Sequence, residues 1–342
     1  MTHVPPWRLV VIGFAACTAC APAVQAPSTP QVRAEVETLA REALSKLDRA
    51  TPEAPPCSRG WAESAAGYVV AVAEWVEQAG LRPGDQIVEV GGVPVTVSEE
   101  RTRAYARVPT GRSLDLTVRR QGQRLTLAVP CRYQPELFRA ERRTLEAASR
   151  ADWGGCVAAA REAKQFAGYT AYPNVIWEHA CTRAKTPSMD SPAGREFASL
   201  SYETARLLLR DSRYVPGGTT SVAERIRQIA DDLRRSGASA QADDLESQFQ
   251  AAMAALPRLE LTWADNSTEE DGYLVERKVG QADPYLPIAT LPPNTVTYAD
   301  TSVEVGVTYC YRVRAIRASS YSNPSSEACA LAKPSTSSGA GR

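Results

Sequence analysis

The stretch Gln78-Ala79-Gly80-Leu81-Arg82-Pro83-Gly84-Asp85-Gln86-Ile87-Val88-Glu89-Val90-Gly91-Gly92-Val93-Pro94-Val95 decides how the first half of the chain is read. It divides into a helix end with Gly80 as its C-cap, a Pro83-Gly84 turn, and Asp85 leading into a buried strand. Gly91-Gly92 supplies the positive φ values that a two-residue hairpin requires. Around it lie further short runs of β-forming residues: Tyr68 to Val72 before it, Leu114 to Arg119 and Arg124 to Val129 after it. Gln121-Gly122-Gln123 joins the last two, and one helix, Ser98 to Arg107 with Ser98 as its expected cap, interrupts the strands.

On either side the period changes. Val32, Val36, Leu39, Ala43 and Leu47 recur at helical spacing, which predicts an amphipathic helix over 31–49, ended by Thr51-Pro52-Glu53-Ala54-Pro55-Pro56. Residues 135–255 are helical almost throughout, with loops expected at Thr170 to Pro173, Thr186 to Pro192 and Val215 to Gly218. From Leu259 the period returns to two, through runs ending at Ser326 to Leu331, which predicts an antiparallel β-sandwich over 257–332. The tail 333–342 is rich in Ser and Gly and reads as disordered. The expected fold class is therefore multidomain: a partly open β-barrel with helices over 57–132, an α-helical bundle over 135–255, and the sandwich.

The first thirty residues point outside the cytoplasm. Arg8 precedes the apolar run Leu9 to Ala16 and the small-residue stretch Ala16-Cys17-Thr18-Ala19-Cys20, the pattern of a secretory signal too short to span a bilayer stably. Both Cys17 and Cys20 follow residues that resemble a bacterial lipobox. Cleavage before Cys20 makes 1–19 the signal and leaves Cys57, Cys131, Cys156, Cys181, Cys310 and Cys329 to pair, an even set, so Cys20 is the favoured lipid attachment site and Cys17 the alternative. Residues 20–30 then form a flexible tether, rich in Pro, Ala and Ser. Ala21 stands where an Asp resembles an inner-membrane retention signal, so the expected destination is the outer membrane, facing the periplasm or the cell surface.

The quoted segment, together with Gly67-Tyr68-Val69-Val70-Ala71-Val72, resembles the core of bacterial PDZ domains. That resemblance implies a protein or peptide partner added as an extra strand beside a helix, with its carboxylate held by a loop. Arg59, Gly60 and Trp61 are the candidate loop, and Arg101 and Tyr105 the candidate groove residues on the helix. The alternative use of such a fold is as a structural or docking element. Likewise Leu261-Thr262-Trp263, Asp271-Gly272-Tyr273-Leu274-Val275-Glu276-Arg277 and Thr308-Tyr309-Cys310-Tyr311-Arg312-Val313-Arg314-Ala315 resemble a fibronectin type III domain, with Trp263 central and Tyr309 in the tyrosine-corner position. The usual first strand of such a domain is missing or very short.

In an exported chain cysteines are read as disulfides first. The expected pairs are Cys57 with Cys131, Cys156 with Cys181, and Cys310 with Cys329, the last set opposite by a hairpin around Ser319-Ser320 and expected on the sheet surface beside Arg312 and Arg314. No metal is expected: no Cys-x-x-Cys or Cys/His cluster is present after the signal, and the acidic loop Asp265, Glu269, Glu270, Asp271 lacks a ligand spacing. Equal numbers of basic and acidic residues, 39 each, give no net field to draw nucleic acid.

Catalysis is not expected either. His3 leaves with the signal and His179 sits mid-helix beside Trp177 and Cys181; Gly-x-Ser-x-Gly, His-Glu-x-x-His and phosphate-loop motifs are absent. Neither a cofactor nor a small-molecule substrate is implied. The sequence thus predicts a non-catalytic, lipid-anchored envelope adaptor, the alternative being an accessory subunit of a secretion, protease or wall-modifying assembly, docked through its helical segment.

Overall fold

The computed structural model describes residues 29–49, 58–109, 111–266, 269–280, 284–318 and 320–333. They group into two compact units. The first runs to Ser247 except for Gln121–Gln123 and Val215–Ala223, which group with the second, Gln248–Arg342. The expected signal 1–19, the expected tether as far as residue 28, Cys17, Cys20, Cys57 and most of the tail lie outside the described residues; Thr29 and Pro30, expected in the tether, instead open the first helix, where Pro30 in the first turn leaves no amide unpaired.

In the first unit the chain starts with α1 (Thr29–Arg49), then runs β1 (Trp61–Glu63), β2 (Val69–Val72), α2 (Glu74–Glu77), β3 (Gln86–Val90), β4 (Val93–Pro94), α3 (Ser98–Tyr105), β5 (Ser113–Arg120) and β6 (Gln123–Pro130). Strands β4-β3-β5-β6 form one antiparallel sheet and β1-β2 another, linked by the bridge between Tyr68 and Gln86. No closed barrel forms among the described residues, which sharpens the expected partly open barrel into two separate sheets.

The turns behave as their residues dictate. Gly91 and Gly92 take φ values of 58° and 76°, placing Val90 opposite Val93, and Gln121 and Gly122 take 50° and 80° between β5 and β6. Asp85, 1% exposed, accepts from the Arg82 amide at 2.9 Å and from Arg120 Nε at 2.7 Å, so the turn before β3 is tied to the end of β5. Ser98 is not the cap of α3. That helix starts after Val97, and the Glu100 carboxylate accepts from the Thr96 and Val97 amides at 2.8 and 3.3 Å.

The helices that follow are α4 (Pro135–Ser149), α5 (Trp153–Ala167), α6 (Tyr172–Lys185), α7 (Pro192–Ser212), α8 (Gly218–Ser221), α9 (Ala223–Arg235) and α10 (Ser239–Ala254). Asp152 caps α5 by accepting from the Gly155 amide at 2.9 Å, and Gly168 ends it at φ 73°. Ser191 caps α7 through the Gly194 amide at 3.1 Å. The N-terminal helix α1 joins this bundle: Val36 and Ala40 are buried with Ala147, Ala148, Cys156 and Cys181. The β-rich segment is thus inserted between two helices that pack on each other, α1 and α4. It shares its core with the bundle as well, since Tyr169 packs against Trp61, Val76 and their neighbours.

The second unit holds β7 (Leu259–Thr262), β8 (Gly272–Val279), β9 (Leu286–Leu291), β10 (Thr297–Asp300), β11 (Thr308–Arg317), β12 (Ser320–Tyr321) and β13 (Ala328–Leu331). β7 pairs with β10, while β9, β8 and β11 form a second antiparallel sheet to which β12 and β13 add along β11. Leu259 and Leu261 from the first sheet, with Trp263 just after β7, meet Tyr273, Val275, Tyr309 and Tyr311 from the second in one core.

Candidate functional site

Between β1 and α3 the expected groove residues come together, but with their side chains turned inward. Arg101 is completely buried, and Trp61 and Tyr105 are 3% and 4% exposed. What gathers them is Glu63, a residue the sequence reading did not single out. Its Oε2 accepts from Trp61 Nε1 at 3.0 Å and from the Tyr105 hydroxyl at 2.9 Å. Its Oε1 accepts from Arg101 Nε at 3.0 Å, with Arg59 Nη1 3.6 Å away. Arg101 also donates through Nη2 to the Ser64 and Ala65 carbonyls at 3.2 and 2.7 Å, so the helix is laced directly to the chain that leaves β1.

The remaining contacts are equally specific. Trp61 meets Tyr105 edge to face with ring centroids 5.6 Å apart, and the Arg59 guanidinium lies 4.9 Å over the Tyr105 ring. Gly60, at φ 67°, brings the backbone against Trp75, where a Cβ would stand 2.2 Å from the ring. Burial and the Glu63 charge push the Tyr105 hydroxyl well above its ordinary range. Burial opposes the Arg59 charge, yet Glu63 and the phenols of Tyr105 and Tyr169 outweigh it and raise the guanidinium. Glu141 of α4 faces Arg59 and, through burial, is raised to about 8 despite that cation.

These five residues therefore occupy the positions expected of a groove while forming a packed polar cluster rather than open walls. The physical reason is charge: two guanidiniums placed beside a strand this short need an acceptor, and Glu63 supplies it from within. The sequence carried no signal for it, because the three residues of β1 are too few to show an alternation and Glu63 joins Trp61 in a strand only once β1 pairs with β2. β1 stands at the edge of its two-stranded sheet among the described residues.

The cysteines divide. Cys156 and Cys181 join α5 to α6 with Cα atoms 5.9 Å apart, and Cys310 and Cys329 face each other across β11 and β13 at 4.0 Å. Cys131 is disulfide-bonded, and its expected partner Cys57 lies outside the described residues. The second bond is not at the surface on both sides as expected: Cys329 is exposed, but Cys310 is fully buried. On that face of the sheet Lys278 and Tyr285 both bind Glu327, and Arg312 and Arg314 converge on Glu276 at 2.6 and 2.9 Å. This lattice of charged and aromatic side chains is what roofs a nominally outward position.

Among the described residues the grouping of metal-type ligand atoms is Cys310, Glu327 and Cys329, whose sulfurs are bonded to each other and are not thiolates. In the acidic loop, Asp265 accepts from Tyr273, Glu270 from the Asn294 amide, and Glu269 pairs with Arg317. His179 Nε2 lies 3.0 Å from Ser201 Oγ with its ring 4.9 Å from Phe197; burial, then Arg225 and Arg183, lower it to about 3.

The family model described as PDZ domain matches residues 77–120, the span from the end of α2 through β5. The first unit thus contains a PDZ domain, and PDZ domains bind protein or peptide partners. No curated protein matches the chain.

Proposed function

We propose that this chain is a non-catalytic adaptor or scaffold of the bacterial cell envelope, lipid-anchored through Cys20 or Cys17, which holds protein or peptide partners through its PDZ domain and a fibronectin type III-like module. The observation that carries the reading is the PDZ match at 77–120, combined with β1, which among the described residues is paired along one edge only, with β2, and lies beside the helix α3. An extended segment can add to such an edge through main-chain hydrogen bonds, with side-chain pockets supplying selectivity. Two disulfides support an oxidising compartment. His179 is engaged with Ser201 and Phe197 and burial lowers it to about 3, which fits a packing role better than that of a general base.

For the second unit, the pairing of β7 with β10 against β9-β8-β11 supports the fibronectin-like reading. So does Tyr309, whose hydroxyl accepts from the Glu304 amide at 3.0 Å, as a tyrosine corner requires. The one departure from that pattern is the missing first strand: among the described residues β7 pairs with β10 alone.

The test is a display of random C-terminal peptides selected on the full chain. Enrichment of a consensus whose binding is lost on C-terminal amidation supports the PDZ reading; no enrichment turns the balance to a second one. That second reading, an accessory subunit docked through its helical segment, is favoured by the saturation of the groove donors by Glu63, by Phe166, an aromatic residue 40% exposed on that segment, and by Tyr133, 43% exposed just before it. It predicts that Tyr133→Ser with Phe166→Ser abolishes association with the larger assembly. Palmitate labelling that survives Cys17→Ser and disappears in Cys20→Ser tests the anchor.

A further inference from the structure

Four side chains from three separate parts of the first unit, the loop before β1, β1 itself and α3, aim four N–H and O–H donors at one carboxylate. Such convergence is the geometry of an anion receptor, and here the anion is the chain's own Glu63. We propose that Arg59, Trp61, Arg101 and Tyr105 form a carboxylate-binding site, that Glu63 is its resident ligand in the resting fold, and that a partner's carboxylate opens the gap between β1 and α3 by replacing it.

Three features carry this. Near neutral pH the site holds two guanidiniums against one charged carboxylate, because the other bonds of Arg101 go to the neutral carbonyls of Thr96, Ser64 and Ala65 and the second carboxyl facing Arg59, Glu141, is raised by burial to about 8. An incoming acid therefore meets surplus positive charge rather than a balanced pair. The burial is graded: the side chain of Arg101 is 0% exposed, that of Glu63 8%, and that of Arg59 25%. Arg59 is thus the side of entry, where a second carboxylate can engage before Glu63 leaves, so no donor is stripped bare during the exchange. Finally, α3 is held to β1 chiefly through Glu63 and the Arg101 contacts beside it, so releasing one carboxylate loosens the wall of the groove. This inference rests on the PDZ domain being a partner-binding one. The recognised chemistry is a carboxylate, whether from a chain terminus or from an Asp or Glu side chain.

Glu63→Ala in the full chain removes a CH2 and a carboxylate, leaving a vacancy the shape of acetate. Its thermal midpoint is measured against sodium acetate, with sodium chloride at matched ionic strength, and labelled Ala-Ala-Ala-Val is titrated as the free acid, as the amide, and as an amide carrying an internal Asp. The expected result is a saturable rise of the midpoint in acetate for the variant alone, and binding of the free acid at least tenfold tighter by the variant than by the natural chain. Preference for the free acid over the Asp-bearing amide identifies a chain terminus as the source; the reverse identifies a side chain. Glu63→Gln, which preserves volume and one acceptor oxygen, gives the same ranking of peptides should the alanine variant not fold. Absence of any difference between acetate and chloride in both variants overturns the receptor. Equal peptide binding by natural and variant chains overturns the displacement while leaving the adaptor reading intact, whereas acetate rescue with no peptide bound by any form overturns both the displacement and the peptide-binding reading.

Discussion

Replacing Arg101 with Met keeps a similar stem and deletes the guanidinium that bonds Glu63 at 3.0 Å and two carbonyls at 3.2 and 2.7 Å. Removing one partner of a buried pair costs about 3–5 kcal/mol, because the other charge is left without its counterion. Trp61 and Tyr105 still bind Glu63, with Arg59 at 3.6 Å, which sets the expected loss at the lower end, about 3 kcal/mol. Glu63→Gln leaves Arg101 buried opposite a neutral amide and loses a similar amount. The double variant carries no orphaned charge at the pair, so it is expected to be more stable than the sum of the two losses by about 2 kcal/mol. Urea unfolding of the full chain followed by far-ultraviolet circular dichroism measures the cycle, and hydrogen exchange at β1 and α3 assigns the change to the first unit. Losses that add within about 0.5 kcal/mol would refute the coupling, and with it the argument that Glu63 and Arg101 hold α3 against β1.

Other expectations follow from single contacts. His179 is held at about 3 against an ordinary 6.5, so its contribution to stability is complete above pH 6.5 and is lost as the pH falls toward 3. After allowance for the ring's residual exposure this amounts to about 2 kcal/mol by pH 4, and His179→Gln should flatten that limb of the stability profile. Glu141, raised to about 8, has the opposite slope: the folded chain keeps a proton that the unfolded chain gives up above 4.5, so stability falls between pH 4.5 and 8, and Glu141→Gln should remove the decline. Gly60→Ala combines a positive φ with a Cβ 2.2 Å from Trp75, and a loss of more than about 2 kcal/mol, read from the urea midpoint, is expected. Tyr309→Phe removes the acceptor for the half-buried Glu304 amide and should lower stability by about 1 kcal/mol; an unchanged thermal midpoint would deny the tyrosine any corner role.

Much of the chain's local structure was legible in its residues because local rules suffice for it. Gly91-Gly92, Gln121-Gly122 and Asp85 each act where a turn needs them, and the runs at Gln86 to Val90 and Tyr309 to Ile316 are long enough to show their period; Gly80, expected as a helix cap, instead stands at φ 95° two residues beyond Gln78, which caps α2. Cys310 and Cys329 are opposite because one hairpin register sets them so. What period cannot show is which neighbours cover a face. Cys310 alternates onto the outer face, yet Lys278, Tyr285 and Glu327 from other segments roof it. Three residues of β1 are too few to alternate, and they became a strand only by pairing with β2. Arg101 and Tyr105 looked like groove residues because one helix face carries both, but the identity of their partner was decided by Glu63, nearly forty positions earlier in the chain. The union of α1 with α4 was beyond any window of sequence as well, since burying Val36 and Ala40 requires a surface that exists only once the intervening β segment has folded out of the way. Backbone chemistry acts within a few residues and can be read directly; burial and charge neutralisation act through space, and only the folded chain determines who stands beside whom.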